Sequence, residues 1–475
     1  MKVLFLTFEF PPLSSGGVHR VIKLCKYLPR LGHEIDVVTV RTQDYKKWSS
    51  APIDKTLTRN IPESVRIHRI SYGYPDWYWT WLRNPVTRHL LNYSFAGDPL
   101  SIFWKEPLFE FLEKFIYESR PDVLLATAPP FGVAVLASQV SHRYRLPWVM
   151  DWRDPWTLWC STPFPSYLHY LHVRNREKEC LKKANVSVCT SHVTREDWLE
   201  EFKELDPKRL KVIYNGFDPE DIRSVQKMES ANGRTRIVHV GSFYYNPESY
   251  KAVMQPWWQH TPHRWIHYRK RKENWLYRSP YFFLKGLKRF AEASPELAGK
   301  LEIIFAGLIP AWLPEMLEDT QTKDFVKLLG PITHPESIKL QASADAVLLT
   351  SAKIENKPDY SIAGKTFEYL GLGKTIFGVL PNGAMRDVVN KSGLGVIANP
   401  DDPDAIAECI KRIVLKNYPN HKLNSKNKDF IASFEASHIV NQMAEQLRLA
   451  AKEGYTSARS NSLNPEALPY ATETR

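Results

Sequence analysis

The chain has 475 residues, 43% of them hydrophobic, with 64 basic against 52 acidic side chains and a net charge of +12. That length exceeds one hydrophobic core and suits two domains of about 200 residues each, and no apolar run reaches the ~18 residues of a membrane-spanning helix. The charge favours anionic partners (nucleotide diphosphates, membrane surfaces or nucleic acid) without choosing among them.

Five scattered cysteines, Cys25, Cys160, Cys180, Cys189 and Cys409, form no CxxC pair. Reduced thiols in a cytoplasmic protein fit best, and no metal site is expected.

The first apolar run, residues 3–8, meets Glu9 and Pro11-Pro12 without a small-residue cleavage site, so it reads as a buried strand and not a signal peptide. Further non-alternating runs follow at 35–40, 123–126, 148–151, 186–190 and 212–214. A second set lies at 237–240, 301–305, 326–329, 346–349, 375–380 and 396–397. Runs of this kind, separated by helix-length segments, predict strands buried on both faces of parallel sheets. The expected fold class is α/β, with two Rossmann-like doubly wound domains. Helices are predicted at 19–31, 281–291, 404–414 and 430–452. The domains read as 1–220, 221–430, a C-terminal helix over 431–454 packing back on the first domain, and a disordered Ser/Thr/Asn/Pro-rich tail over 455–475. Two inserts break the rhythm: an aromatic one at about 72–104, with Trp77, Trp79, Trp81 and Trp104, and an aromatic-basic one at about 245–277, with the run His267 to Lys272.

Candidate chemistry sits where strands end. After the first strand, Gly16-Gly17 lets backbone approach a ligand ahead of a helix N-terminus; a plain strand-to-helix turn is the alternative. After the fourth run comes Asp151-Trp152-Arg153-Asp154-Pro155-Trp156. Either aspartate can face an acceptor hydroxyl across a cleft, or the set is a structural Asp–Arg pair with a helix cap. Ser242 stands in a glycine-led turn, and Arg278 precedes a helix, able to reach a phosphate or to stay solvated. The most informative stretch is Gly364-Lys365-Thr366-Phe367-Glu368, a helix start bearing one cation and, a turn later, one carboxylate. It can hold a diphosphate and a pair of sugar hydroxyls, or be a surface Lys with an i, i+3 Glu partner. Asn382-Gly383 follows in the next loop.

These pieces, in this order, resemble the family 4 group of GT-B glycosyltransferases over about residues 1–450. Matching segments include Gly16-Gly17…Arg20, Pro121-Asp122-Val123, Asp151 to Trp156, Val212 to Asp218, Gly241-Ser242-Phe243-Tyr244, Gly364 to Leu370, Gly393-Leu394-Gly395 and Asp401-Asp402-Pro403. The resemblance implies two lobes facing a cleft and a retaining, metal-independent transfer from a nucleoside-diphosphate sugar, the co-substrate, with no cofactor. It implies that Glu368 binds ribose hydroxyls, that Gly17 approaches the diphosphate or sugar, and that Lys365 and Arg278 neutralise phosphates. Donor contacts are thus expected from Gly16, Gly17, Ser242, Arg278, Lys365, Glu368, Asn382 and Gly383, and catalytic roles from Asp151, Asp154 and Lys365. The sequence departs from the pattern in three places. Tyr360 stands where a second glutamate is usual, eight positions before Glu368. Ser242 and the insert replace a usual Arg and Lys, and Thr127-Ala128-Pro129-Pro130 replaces a usual histidine.

The expected acceptor is a hydroxyl of a polysaccharide or lipid-linked glycan of the cell envelope. The inserts then offer a peripheral membrane surface at the inner face of the cytoplasmic membrane, or pack as a small subdomain. No nucleic-acid module accompanies the basic run. An epimerase of the same fold, or a non-catalytic membrane- or nucleic-acid-binding module, are the rival readings.

Overall fold

Strands β1 (Lys2–Thr7), β2 (Glu34–Val40), β3 (Arg66–Ile70), β4 (Val123–Ala128), β5 (Trp148–Trp152), β6 (Val186–Cys189) and β7 (Leu210–Val212) form one parallel sheet, in the order 3-2-1-4-5-6-7. The computed structural model describes residues 1–47, 51–73, 75–84, 87, 100–158, 163–223, 233–261, 264–417 and 423–462. Much of the first insert (74, 85–86 and 88–99), Cys160 and the end of the tail lie outside them. The middle strands are apolar at consecutive positions because both faces are covered. Leu4, Leu6, Leu124 and Ala126 enter one core, and Val3, Phe5, Val123 and Leu125 the other.

That second core is closed by the last helix, Ala436–Ser462, through Val440, Met443, Ala444, Leu447 and Ala450. Helix therefore continues into the stretch expected to be disordered, at least as far as Ser462. The chain passes between the lobes twice, and the two crossings pair: Phe217 N–H donates to Phe434 O (3.0 Å) and Ala436 N–H to Phe217 O (2.8 Å). Gly216 permits this approach, since a Cβ there would lie 2.2 Å from Phe434 O.

Strands β8 (Thr235–Val240), β10 (Leu301–Ala306), β11 (Val326–Gly330), β12 (Ala346–Thr350), β14 (Thr375–Val379) and β15 (Gly395–Ala398) make the second parallel sheet, in the order 11-10-8-12-14-15. Strands β9 (Glu273–Asn274) and β13 (Lys353–Ile354) pair antiparallel beside it. Strand β3 was not expected. Its outward Arg66 and His68 break the apolar run because both bind Asp36 of the neighbouring strand, Arg66 at 2.7 Å and His68 at 2.9 Å.

Among the described residues, no helix is long and apolar enough to cross a membrane. Cys25, Cys180, Cys189 and Cys409 are buried thiols outside any disulfide among the described residues.

Candidate active site

Parallel sheets present their strand-end loops at one edge, where ligands bind. Here both sheets turn that edge toward one another, around a cleft of about 940 Å³. The first lobe lines it with Gly16, Gly17, His19, Lys23, Arg153 and Asp154, the second with His239, Ser242, Arg278, His334, Lys365 and Glu368.

The helix Gly364–Gly371 carries the two central groups. Its N-cap, Ala363, supplies no side-chain hydrogen bond; Thr366 N–H turns back to Ala363 O (2.9 Å), and no side-chain cap competes with an anion for the N–H groups of Gly364 and Lys365. Among the described residues the Lys365 ammonium has one hydrogen-bond partner, His239 Nε2 at 3.0 Å. Burial draws the Lys365 pKa down to about 8, and the Glu368 charge opposes that shift. Glu368 does not form an ion pair with Lys365: its oxygens accept from His334 Nε2 (3.2 Å) and Gln341 Nε2 (3.1 Å). Burial works to raise the Glu368 pKa, but the bond to His334, its charge and Gln341 together hold it below the usual carboxylate range. His334 is raised in turn, chiefly by that bond. Its ring stacks on His19, centroids 6.0 Å apart, and burial followed by the Lys23 charge takes His19 down to about 4. The Lys23 ammonium, bonded to Gly216 O, is also lowered by burial.

The Gly-Gly turn divides its work. Gly16 faces open space, whereas a Cβ on Gly17 would have to displace the Arg153 guanidinium and the Glu9 carboxylate, so glycine at 17 leaves room for that pair. Arg153 is held by Glu9 at 2.7 Å and by Pro129 O. Beside it Asp154 faces the cleft. Burial raises its pKa to about 6, against the pull of Arg153 and Arg278. Arg278 lines the opposite wall, its Nε donating to Glu273 at 2.6 Å.

Three sequence expectations are corrected. Asp151 does not face an acceptor: it is fully buried in β5, grips Arg20 with both oxygens (2.8 to 3.1 Å) and accepts from Thr127 Oγ1 at 2.9 Å. Asn382 and Gly383 do not line the cleft but brace its wall. Asn382 O accepts from Asp359 N–H (3.0 Å), and a Cβ on Gly383 would lie 2.5 Å from Asp359 O. Asp359 then orders the loop ahead of Lys365 by accepting from Ser361 N–H at 2.9 Å and from the Ser351 hydroxyl. Tyr360 sits in a small apolar cluster with Val193 of the other lobe.

Sequence reasoning missed His239, Lys23 and His334. His239 left one signal, a polar residue interrupting the buried run Ile237-Val238-His239-Val240. His334 opens a helix marked by a Thr333–Glu336 capping box.

Two facing parallel-sheet lobes with a charged cleft at their strand ends make the GT-B arrangement. A model of Glycosyltransferase Family 4 matches residues 14–221, and a model of Glycosyl transferases group 1 matches residues 276–416. Together they span most of the chain, which belongs to the family 4-like glycosyltransferases. No curated protein matches by sequence. Among solved structures, HepE from Anabaena in complex with UDP is similar at a TM-score of 0.58 and 15% identity, over 94% of this chain and 100% of that one. Sucrose-phosphate synthase from Thermosynechococcus elongatus gives 0.58 at 13% identity, over 94% and 99%. A glycosyltransferase from Rickettsia africae gives 0.54 at 14%, over 95% and 99%. At these identities the likeness is one of fold.

Proposed function

We propose that the cleft binds a nucleoside-diphosphate sugar and transfers its sugar to a hydroxyl of a polysaccharide or lipid-linked glycan, with retention and without a metal. Glu368 holds the ribose hydroxyls. Lys365, Arg278, the Gly241-Ser242 turn and the helix N-terminus take the diphosphate. The observation that carries this reading is Lys365 itself, a desolvated ammonium in the interlobe cleft with a single hydrogen-bond partner among the described residues. Structures of HepE with UDP and with UDP-glucose support the donor class. Fixed cations and helix N–H donors that stabilise the departing diphosphate, with orientation of the two substrates, supply the catalysis.

The test is calorimetric titration with a panel of nucleoside diphosphates. Lys365→Ala and Glu368→Ala stay folded and lose about 10–100-fold in affinity, the worth of a hydrogen bond to a charged group. EDTA leaves turnover unchanged. Wild-type affinity in both variants would reject the site.

Asp154 is the carboxylate on the acceptor side. It is ionised above a pKa of about 6, so if it accepts a proton or a hydrogen bond from the acceptor, transfer rises with pH through about 6. Asp154→Asn removes that acidic limb while donor binding persists. A limb unchanged in the variant assigns it to another group. The stability effect runs the other way. Because the folded-state pKa is raised, the native state holds the extra proton, and stability falls as pH rises from the unfolded value toward 6.

For a lipid-linked acceptor, the exposed indoles Trp77 and Trp81 offer the surface that meets a bilayer, and sedimentation with anionic vesicles tests it. The second insert spends Lys270 and Arg271 on the other lobe.

A further inference from the structure

We propose that His239 is a positioning residue, which accepts a hydrogen bond from Lys365 as a neutral imidazole and so aims the ammonium, without a counter-charge, at the anion in the cleft. This rests on the role given to Lys365 above and deepens it.

The geometry assigns the tautomer. His239 is the penultimate residue of β8, its ring buried, stacked on Phe243 (centroids 4.0 Å apart, 9° between planes) and edged by Phe305 at 6.1 Å. Its Nδ1 lies 3.1 Å from Leu348 O, and a carbonyl only accepts, so Nδ1 carries the hydrogen. Nε2 is left with a lone pair, and Lys365 Nζ, which only donates, lies 3.0 Å from it. Both ring nitrogens are thereby engaged and the ring cannot swing. Burial, then the neighbouring Lys365 charge, keeps His239 neutral well below its ordinary titration range, against the opposing pull of backbone hydrogen bonds at Leu348 and Gly241.

A neutral acceptor suits this position for a physical reason. A carboxylate here would hold the ammonium just as firmly but cancel its charge, leaving little for a diphosphate. With no acceptor, a desolvated ammonium sheds its proton more readily. The neighbouring carboxylate is kept out of the way: Glu368, on the same helix, turns to His334 and Gln341 of the helix His334–Ala342. Lys23 of the facing lobe points to Gly216 O. Gly241 completes the arrangement, since a Cβ there would lie 3.3 Å from Lys365 Nζ.

The experiment titrates inorganic pyrophosphate and UDP into the full-length protein and into His239→Phe, His239→Gln, Lys365→Ala and His239→Phe/Lys365→Ala, across pH. His239→Phe is expected to weaken both ligands about tenfold, the scale of one hydrogen bond to a charged group, and to move the alkaline limb of binding toward lower pH. His239→Gln, which keeps an acceptor oxygen, restores affinity and limb. In the Lys365→Ala background the histidine substitution has no further effect, because its role runs through the lysine. Unchanged affinity and limb in His239→Phe, or a loss that adds fully to that of Lys365→Ala, overturns the inference while the donor site stands. Undiminished affinity in Lys365→Ala overturns the donor site and the inference with it. Should His239→Phe fail to fold, imidazole ¹⁵N shifts of the unsubstituted protein decide: an Nδ1–H neutral ring between pH 6 and 8 is expected, and an Nε2–H ring or an imidazolium overturns it.

Discussion

Replacing Arg20 with alanine is expected to cost the protein about 3–5 kcal/mol of stability, the scale for stranding one member of a buried ion pair. Asp151 is fully buried, and Arg20 is 6% exposed. The guanidinium gives Asp151 three contacts and donates besides to Tyr214 O (2.8 Å), Asn215 Oδ1 (3.2 Å) and Ile213 O (3.1 Å). One side chain thus ties the helix Val18–Tyr27 to β5 and to the chain leaving β7. Without it, Asp151 keeps, among the described residues, only the Thr127 hydroxyl, and Ile213 O loses its donor in the interior, whereas Tyr214 O and Asn215 Oδ1 are part-buried beside the cleft, where water can replace the donor. Urea unfolding of Arg20→Ala measures the loss. The double variant Arg20→Met/Asp151→Leu is expected to recover much of it, since replacing both members of such a pair with apolar groups is often neutral. A cost below about 1 kcal/mol for Arg20→Ala, the range of exposed pairs, would show that water reaches Asp151.

The same pair shows where sequence reading stops. Asp151 and Asp154 stand three residues apart at one strand end, with the same composition around them. Composition cannot tell which carboxyl lies inside the strand and which beyond it. The structure separates them, with Asp151 in register with Thr127 on β4 and Asp154 past the end of β5. The Lys365–Glu368 helix was legible because both groups and their helix start are contiguous in sequence. Their partners were not: His239, His334, Gln341 and Lys23 come from separate elements, and only packing of the two lobes brings them together. The central strands of both sheets could be read because burial on two faces leaves an unbroken apolar run. Strand β3 could not, since its polar residues answer Asp36 across the sheet edge. Basic composition in the second insert suggested an anionic surface. The anion it meets is protein, the acidic helix His192–Glu201 of the first lobe.

That contact carries the other large expected effect. Arg271 binds Asp197 bidentately (2.5 and 2.9 Å), with side chains 9% and 5% exposed, so salt screens the pair poorly. Lys270 reaches Glu201, which Arg174 also holds at 2.6 Å, and Lys357 reaches Glu200 and, at 3.9 Å, Asp197. Tyr268 and Phe164 exchange backbone hydrogen bonds of 2.8 and 3.0 Å, and the Tyr268 ring packs against Tyr167 and Tyr170. The insert therefore grips the first lobe beside the cleft. In Arg271→Ala, Asp197 is left buried with Lys357 alone, a situation worth about 3–5 kcal/mol where the site stays dry. If the lobes part and rehydrate the carboxylate, the cost is expected to appear as a shift toward an open cleft more than as unfolding. Donor affinity then falls by the fraction of molecules left closed, up to about 100-fold, and small-angle scattering reports a larger radius of gyration that a nucleoside diphosphate partly reverses. Charge reversal of both partners, Arg271→Asp with Asp197→Arg, is expected to restore part of the closed population. An Arg271→Ala protein with unchanged scattering and unchanged donor affinity would mean that the apolar contacts around Tyr268 and Tyr360 hold the lobes together by themselves.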